Sequence, residues 1–224
     1  MNEYVRRNCK KSICQSISAR PNIRRRTGDY PLACYDDSNL IPERACHALY
    51  KIDENCVIDI KYILALLNST LMRWTFRENN AQLVGKPLAQ VNAKYIGRLP
   101  LKVENEKNVV TIVEDLILLY ARKINKIDLF MHFLRATYCL EKPTERIKEF
   151  YVLTYNEFLN ELKKRHVDLA ASEKQSLLTL YEDNQNEVKM IIKQISQKEE
   201  VLDNMIYQIY GLNEVEIQYI KENA

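Results

Sequence analysis

Residues 62–101 read YILALLNSTLMRWTFRENNAQLVGKPLAQVNAKYIGRLPL. Together with the residues just before it, this stretch carries an apolar stripe. Ile60, Ile63, Leu64, Leu67, Leu71 and Trp74 fall at i, i+3, i+4, i+7, i+11 and i+14. That spacing predicts an amphipathic helix over 59–77 with one buried face. Asp59 stands where an N-cap carboxylate can accept a first-turn backbone N–H. The helix is expected to end near Glu78-Asn79-Asn80, because paired asparagines favour turns. A polar loop follows with Asn79, Asn80, Gln82, Lys86, Gln90 and Asn92, punctuated by Gly85 and Lys86-Pro87. Tyr95, Ile96 and Leu99 suggest one more helical turn, which Pro100 ends.

Upstream, the chain is basic and then extended. Residues 1–26 hold eight basic side chains, namely Arg6, Arg7, Lys10, Lys11, Arg20, Arg24, Arg25 and Arg26, against one acid, Glu3. This is a basic arm suited to phosphate contact or simply to solvent. Between 27 and 58, turn signals at Gly28-Asp29 and Asp36–Asn39 bound two short apolar and aromatic runs, Tyr30–Tyr35 and Ala45–Ile52, compatible with strands. Prolines at 21, 31 and 42 favour edge positions. The expectation is a small irregular sheet packed against the 59–77 helix.

Downstream, the chain is helical. Val109, Ile112, Val113, Leu116, Ile117, Leu119 and Tyr120 form one helical stripe. Asn125 is a candidate break before Ile127, Phe130, Met131, Leu134 and Tyr138, and Pro143 separates Thr144–Phe150. Thr154 and Glu157 have capping-box spacing ahead of Tyr155, Phe158, Leu159 and Leu162. The cluster Lys163-Lys164-Arg165-His166 complements the dipole at that helix's end. Residues 173–210 read as one long helix, opened by a Ser172/Gln175 capping box and closed by Gly211 at C′. At 1.5 Å per residue it spans roughly 57 Å. Its heptad seam holds Tyr181, Val188, Ile195, Leu202 and Ile209, with Asn184, Ile191, Lys198 and Met205 at the second position. Asn184 and Lys198 make it an imperfect coiled coil. It is expected to pack antiparallel on Val109–Tyr138 of the same chain, ahead of pairing with a second chain. Asn213 and Glu216 form a further box ahead of a short terminal helix.

The fold class expected is therefore α+β and mainly helical. A small irregular sheet with a packed helix is followed by a helical region with one long coiled-coil-like helix. The division falls at 1–102, an α+β module, and 103–224, a helical region. Charge divides at the same place. Residues 1–102 carry 17 Lys/Arg against 9 Asp/Glu, a net of +8; residues 103–224 carry 16 against 21, a net of −5. The basic half is the one suited to a polyanion. A Met start and the lack of a long apolar run argue against a signal peptide and a membrane span, and point to the cytoplasm. Six cysteines at 9, 14, 34, 46, 56 and 139 are irregularly spaced and read as free thiols in a reducing compartment, ahead of a zinc site from Cys46, His47 and Cys56.

Two stretches carry a family resemblance. Tyr62-Ile-Leu-Ala-Leu-Leu-Asn-Ser69, Leu71, Trp74 and Phe76, Lys94-Tyr95-Ile96 and Leu99-Pro100-Leu101 resemble the C-terminal specificity (target-recognition) region of adenine-specific DNA methyltransferases. The nearest form is the TaqI-like specificity domain of fused type IIG restriction–modification enzymes. Leu202-Asp203, Tyr210-Gly211-Leu212 and Glu216-Ile217 resemble the ending of the same enzymes. The resemblance implies the sequence-specific DNA-binding portion of a type II (IIG-like) restriction–modification enzyme. Its partners would be double-stranded DNA and methyltransferase or nuclease domains in the same chain or a partner chain, and alone it would be a monomer. The alternative is a helical scaffold, like a type I specificity subunit, whose long helix docks catalytic subunits.

Catalytic motifs are missing from the sequence. Adenine methyltransferases need an Asn/Asp-Pro-Pro-aromatic loop, and no Pro-Pro occurs; the four glycines, at 28, 85, 97 and 211, supply no glycine-rich cofactor turn. Glu161-Leu162-Lys163 and Glu187-Val188-Lys189 mimic a nuclease Glu-x-Lys string but fall in helical patterns. His47, His132 and His166 have no partner spacing that suggests a triad or a metal helix. The chain is thus expected to be non-catalytic and to bind no cofactor itself; S-adenosylmethionine and Mg belong to the catalytic domains. Candidate base readers are Arg77, Asn79, Asn80 and Gln82, since Asn and Gln suit adenine and Arg suits guanine. Candidate phosphate contacts are the eight basic residues of the arm together with Lys86 and Lys94.

Overall fold

The computed structural model describes residues 12–15, 30–36, 48–50, 58–81, 85, 91 and 93–224. Among these the fold is mainly helical α+β, with three strands and eight α-helices. Strands β1 (Ser12–Gln15), β2 (Ala33–Asp36) and β3 (Ala48–Tyr50) form a sheet in the order β2-β1-β3. Both pairings are antiparallel; Cys14 lies opposite Cys34 on one side and Ala48 on the other. The central strand comes from the basic arm, where no strand was expected. The outer two fall within the runs Tyr30–Tyr35 and Ala45–Ile52, β2 ending one residue beyond the first of them.

The predicted 59–77 helix is two helices, α1 (Ile60–Asn68) and α2 (Thr70–Asn79). Asp59 caps α1 by accepting the Lys61 N–H at 2.8 Å. Ser69 sits in extended backbone between the helices, and its hydroxyl accepts the Met72 N–H at 3.2 Å. Ser69 thus leaves the helix to become the N-cap of the next one. A single-residue break keeps the stripe together, so Leu64, Leu67 and Leu71 are all buried. Asn68 explains how the sheet attaches. Its side-chain amide donates to the Ala33 carbonyl and accepts the Ala33 N–H, each at 2.8 Å. A side chain thereby completes the outer edge of β2, where another strand would otherwise pair. A short helix α3 (Ala93–Ile96) precedes the Pro100 exit.

Helix α4 (Glu106–Tyr138) runs 33 residues without interruption. The break predicted at Asn125 does not occur, because one asparagine costs a helix interior only a fraction of a kcal/mol. Then come α5 (Glu145–Lys148), a 3₁₀ turn (Phe150–Val152), α6 (Tyr155–Lys163), α7 (Ala171–Tyr210, 40 residues) and α8 (Glu214–Asn223). The Thr154/Glu157 and Asn213/Glu216 capping boxes both form. The Ser172/Gln175 box does not: α7 begins two residues early, and Glu173 reaches back to the Ala170 N–H at 2.7 Å. Gly211 ends α7 at φ +72°, with the Leu212 N–H bonded to the Tyr207 carbonyl and the Gly211 N–H to Gln208. That is the six-to-one, five-to-two closure that glycine favours.

Two compact units result, Met1–Ile117 with Lys198–Ala224, and Leu118–Gln197. In the second unit, Phe130, Met131 and Leu134 of α4 are buried with Ile147, Phe150, Phe158, Leu162, Leu177, Tyr181 and Val188. Each large apolar side chain buried this way contributes about 1.5–3 kcal/mol. Phe150 stands 4.4 Å from Phe130, and Phe158 4.8 Å from Tyr181, between ring centroids. The Tyr181 hydroxyl lies 2.7 Å from the Leu153 carbonyl and 3.0 Å from that of Phe150, donating toward the turn that follows the 3₁₀ segment. Lys126 of α4 pairs with Glu187 of α7 in this unit, and Asp115 with Lys198 at 2.6 Å in the first. The seam residues Val188, Ile191, Ile195, Leu202 and Ile209 are buried as the heptads require.

Candidate nucleic-acid interface

Helix α2 is anchored at its start and along its length and ends in polar side chains. At its start, Asp203 of α7 accepts the Thr70 N–H at 2.9 Å and also the Thr70 hydroxyl. Along its length, Trp74 meets Tyr219 of α8 edge to face at 6.3 Å, and Phe76, fully buried, meets Tyr95 of α3 at 6.4 Å. What lies at its far end is therefore held in place. Asn79 there is exposed and Arg77 half-buried. Asn80 is 4% exposed; its side-chain amide donates to the Phe76 carbonyl at 2.8 Å and its N–H to Arg77. Asn80 is thus committed to closing the helix. Lys94 is exposed on α3. Gln82, Lys86, Arg6, Arg7, Lys10, Lys11, Arg20, Arg24, Arg25 and Arg26 lie outside the described residues.

The exit from α3 is clamped by aromatic hydroxyls. The Tyr210 hydroxyl lies 2.6 Å from the Pro100 carbonyl and accepts the Lys102 N–H at 3.2 Å. The Lys102 ammonium donates to the Ile209 carbonyl. Tyr62, fully buried, donates to the Lys102 carbonyl at 2.8 Å. Burial pushes both phenols above their ordinary range, so they remain neutral donors. The two stretches quoted for their resemblance, 62–101 and 202–217, therefore meet in space: Asp203 caps α2, and Tyr210 grips the Leu-Pro-Leu exit.

Residues 3–101 match the TaqI-like C-terminal specificity domain. Residues 102–206 match a domain of unknown function (DUF8810). No curated protein and no solved structure matches the chain. The specificity-domain match supports a DNA-recognition role in restriction–modification.

Several side chains that position α1 and α2 carried no sequence signal of their role. Lys61 pairs with Glu114 of α4, which holds its ammonium above the usual range. Glu106 accepts the Asp59 N–H, tying the start of α4 to the start of α1. Arg73 lies with its guanidinium 4.5 Å over the Tyr30 ring. Only the pattern Asn68-Ser69, two helix-weak residues inside an apolar stripe, was locally readable.

The nuclease-like strings are both helical. Glu161, 6% exposed, lies against Lys164 at 2.7 Å and Arg146 at 3.7 Å, while Glu187 pairs with Lys126. Among the described residues, no group of three or more His, Cys, Asp or Glu could hold a metal ion. Cys139 is an exposed free thiol. No helix among the described residues is long and apolar enough to cross a membrane.

Proposed function

We propose that this chain is the target-recognition part of a type IIG-like restriction–modification enzyme, directing an adenine methyltransferase and endonuclease to its site. The observation that carries the reading is the match of residues 3–101 to a specificity domain. The basic charge of the same residues supports it. Recognition runs in two layers. Arg6, Arg7, Lys10, Lys11, Arg20, Arg24, Arg25, Arg26, Lys86 and Lys94 supply phosphate contacts and salt dependence. Arg77, Asn79 and Gln82, at and beyond the end of α2, read base edges in the major groove. Asn80 fixes the backbone beside them. Catalysis, with S-adenosylmethionine and Mg, falls to methyltransferase and nuclease domains in the same or a partner chain. Those domains flip and methylate the adenine that this chain selects. By itself the chain is a cytoplasmic monomer.

The test is selection of bound sequences from a randomised duplex pool at two salt concentrations. Enrichment of one short motif is expected, relaxed by joint Asn79→Ala and Gln82→Ala substitution with little loss of nonspecific affinity. Enrichment of nothing at either salt would remove the sequence-reading role from this chain.

A further inference from the structure

We propose that Arg73 is a DNA-backbone contact of the specificity domain, its guanidinium held on the Tyr30 ring so that its outer edge meets a phosphate oxygen. This rests on the DNA-recognition reading above. Arg73 is half-buried, stacked 4.5 Å over Tyr30, and its Nε is buried with no hydrogen-bond partner. Among the described residues no carboxylate pairs with it. Such an arginine is unusual. Guanidinium groups withdrawn from water are ordinarily matched to a carboxylate or to carbonyls, because their five donors are costly to leave unmet. An aromatic ring under the cation compensates only part of that loss. Nε is the guanidinium nitrogen that is buried and unmet; the terminal nitrogens form the outer edge that an arriving oxyanion can meet as a preset fork.

The position favours phosphate over a base edge. Arg73 lies in the first turn of α2, one turn before Arg77 and six residues before Asn79. The guanidinium carbon sits 4.5 Å from the centre of the Tyr30 ring on a first-turn residue, whereas Asn79 stands at the helix end. The rise from Arg73 to Asn79 is about 9 Å along the helix. A backbone contact at the root and a base contact at the tip of one rigid helix divide the work in the usual way: the first sets register, the second reads. Asp203 on Thr70 and Tyr219 on Trp74 hold the helix on both sides of Arg73 in sequence, so the register is transmitted without slack.

The experiment compares the wild-type chain with Arg73→Gln and Arg73→Lys, binding a 24-bp duplex of arbitrary sequence across a salt series. Arg73→Gln should lower the magnitude of the log K against log salt slope by about 0.9. It should also weaken low-salt binding about 3- to 30-fold, equally on all sequences. Arg73→Lys should keep the wild-type slope. A residue that only staples α2 to the Tyr30 loop would alter melting and leave the slope unchanged, and that result overturns the proposal. Because Arg73→Gln could unfold, the buried Nε–H of the wild-type protein provides a second readout. Its nitrogen–proton correlation, assigned by its loss in Arg73→Lys, should shift on adding duplex; constancy at saturating duplex overturns the proposal. If the wild-type chain fails to bind duplex at the lowest salt, the DNA-recognition reading falls first and this inference with it. Wild-type binding with an unchanged Arg73→Gln slope refutes this inference alone.

Discussion

Replacing Asp203 by alanine should destabilise the first unit by about 3 kcal/mol. The carboxylate receives two hydrogen bonds from Thr70, one from the N–H at 2.9 Å and one from the hydroxyl. Hydrogen bonds to a charged group are worth roughly 1.5–3 kcal/mol each when partly shielded. A negative charge at the N-terminus of α2 adds roughly 0.3–1 kcal/mol from the helix dipole. Asp203 is half-buried, and water recovers part of the loss at Thr70, which brings the sum down to about 3 kcal/mol. Asp203→Asn keeps one acceptor and should cost about half as much. The assay is urea denaturation followed by tryptophan fluorescence. Trp74 is the single tryptophan of the chain and lies on α2 itself, so the signal reports this unit and not the other. A loss below about 0.5 kcal/mol for Asp203→Ala would refute the cap, since an exposed, unengaged aspartate costs no more than that.

Asn68→Ala should cost about 1–2 kcal/mol in the same assay, because it strips both bonds from Ala33 at the edge of β2; wild-type stability would show that solvent serves that edge equally well. His166 occupies the left-handed region at φ +60° where α6 closes through the Val167 N–H to the Leu162 carbonyl. His166→Gly should therefore stabilise the second unit by about 1 kcal/mol, read as a raised melting temperature, and an unchanged or lower one would refute the strain. Burial first, and Glu157 second, push the Tyr181 phenol from 10.0 up to about 12. A raised folded-state value means a contribution intact below pH 10 and lost as pH rises through about 12. Circular dichroism against pH should show the wild-type chain losing stability across that window more steeply than Tyr181→Phe; parallel curves would contradict it.

The parts of this fold that were legible in the sequence are those whose cause is local. Asp59, the Thr154/Glu157 box and Gly211 each act within four residues of themselves, and each is found doing what its spacing announced. The heptad seam of α7 was legible for the same reason. Failures fall where local signals conflict or where the cause is distant. Ser69 breaks the helix without disturbing the apolar spacing, so periodicity ran straight through it. Asn125 looked like a stop and is carried along by the packing of α4. In β1, Ser12–Gln15 is too short for alternation to register, and it is bounded by Lys10-Lys11. Asp203 and Tyr210 act across 133 and 110 residues, and nothing near either position in sequence names its partner. In the candidate interface, the pair Asn79-Asn80 was legible as a turn, but which of the two faces outward was not. The direction is set by Asn80 closing onto Phe76. Arg73 carried no local signal because its contact is with Tyr30, 43 positions away in sequence.

The return of residues 198–224 to the unit begun by residues 1–117 has a consequence for synthesis. Asp203 and Tyr210 leave the ribosome only after the intervening 118–197 segment has been made. At 5–20 residues per second, those residues take about 4–16 s. Throughout that interval α2 has no Asp203 at its start and no Tyr219 against Trp74. The nascent first unit must therefore wait, partly assembled, with apolar surface uncovered. Those contacts form only when the returning segment arrives, so a stalled or prematurely released product would carry the basic charge of residues 1–102 without the Asp203 and Tyr219 contacts on α2.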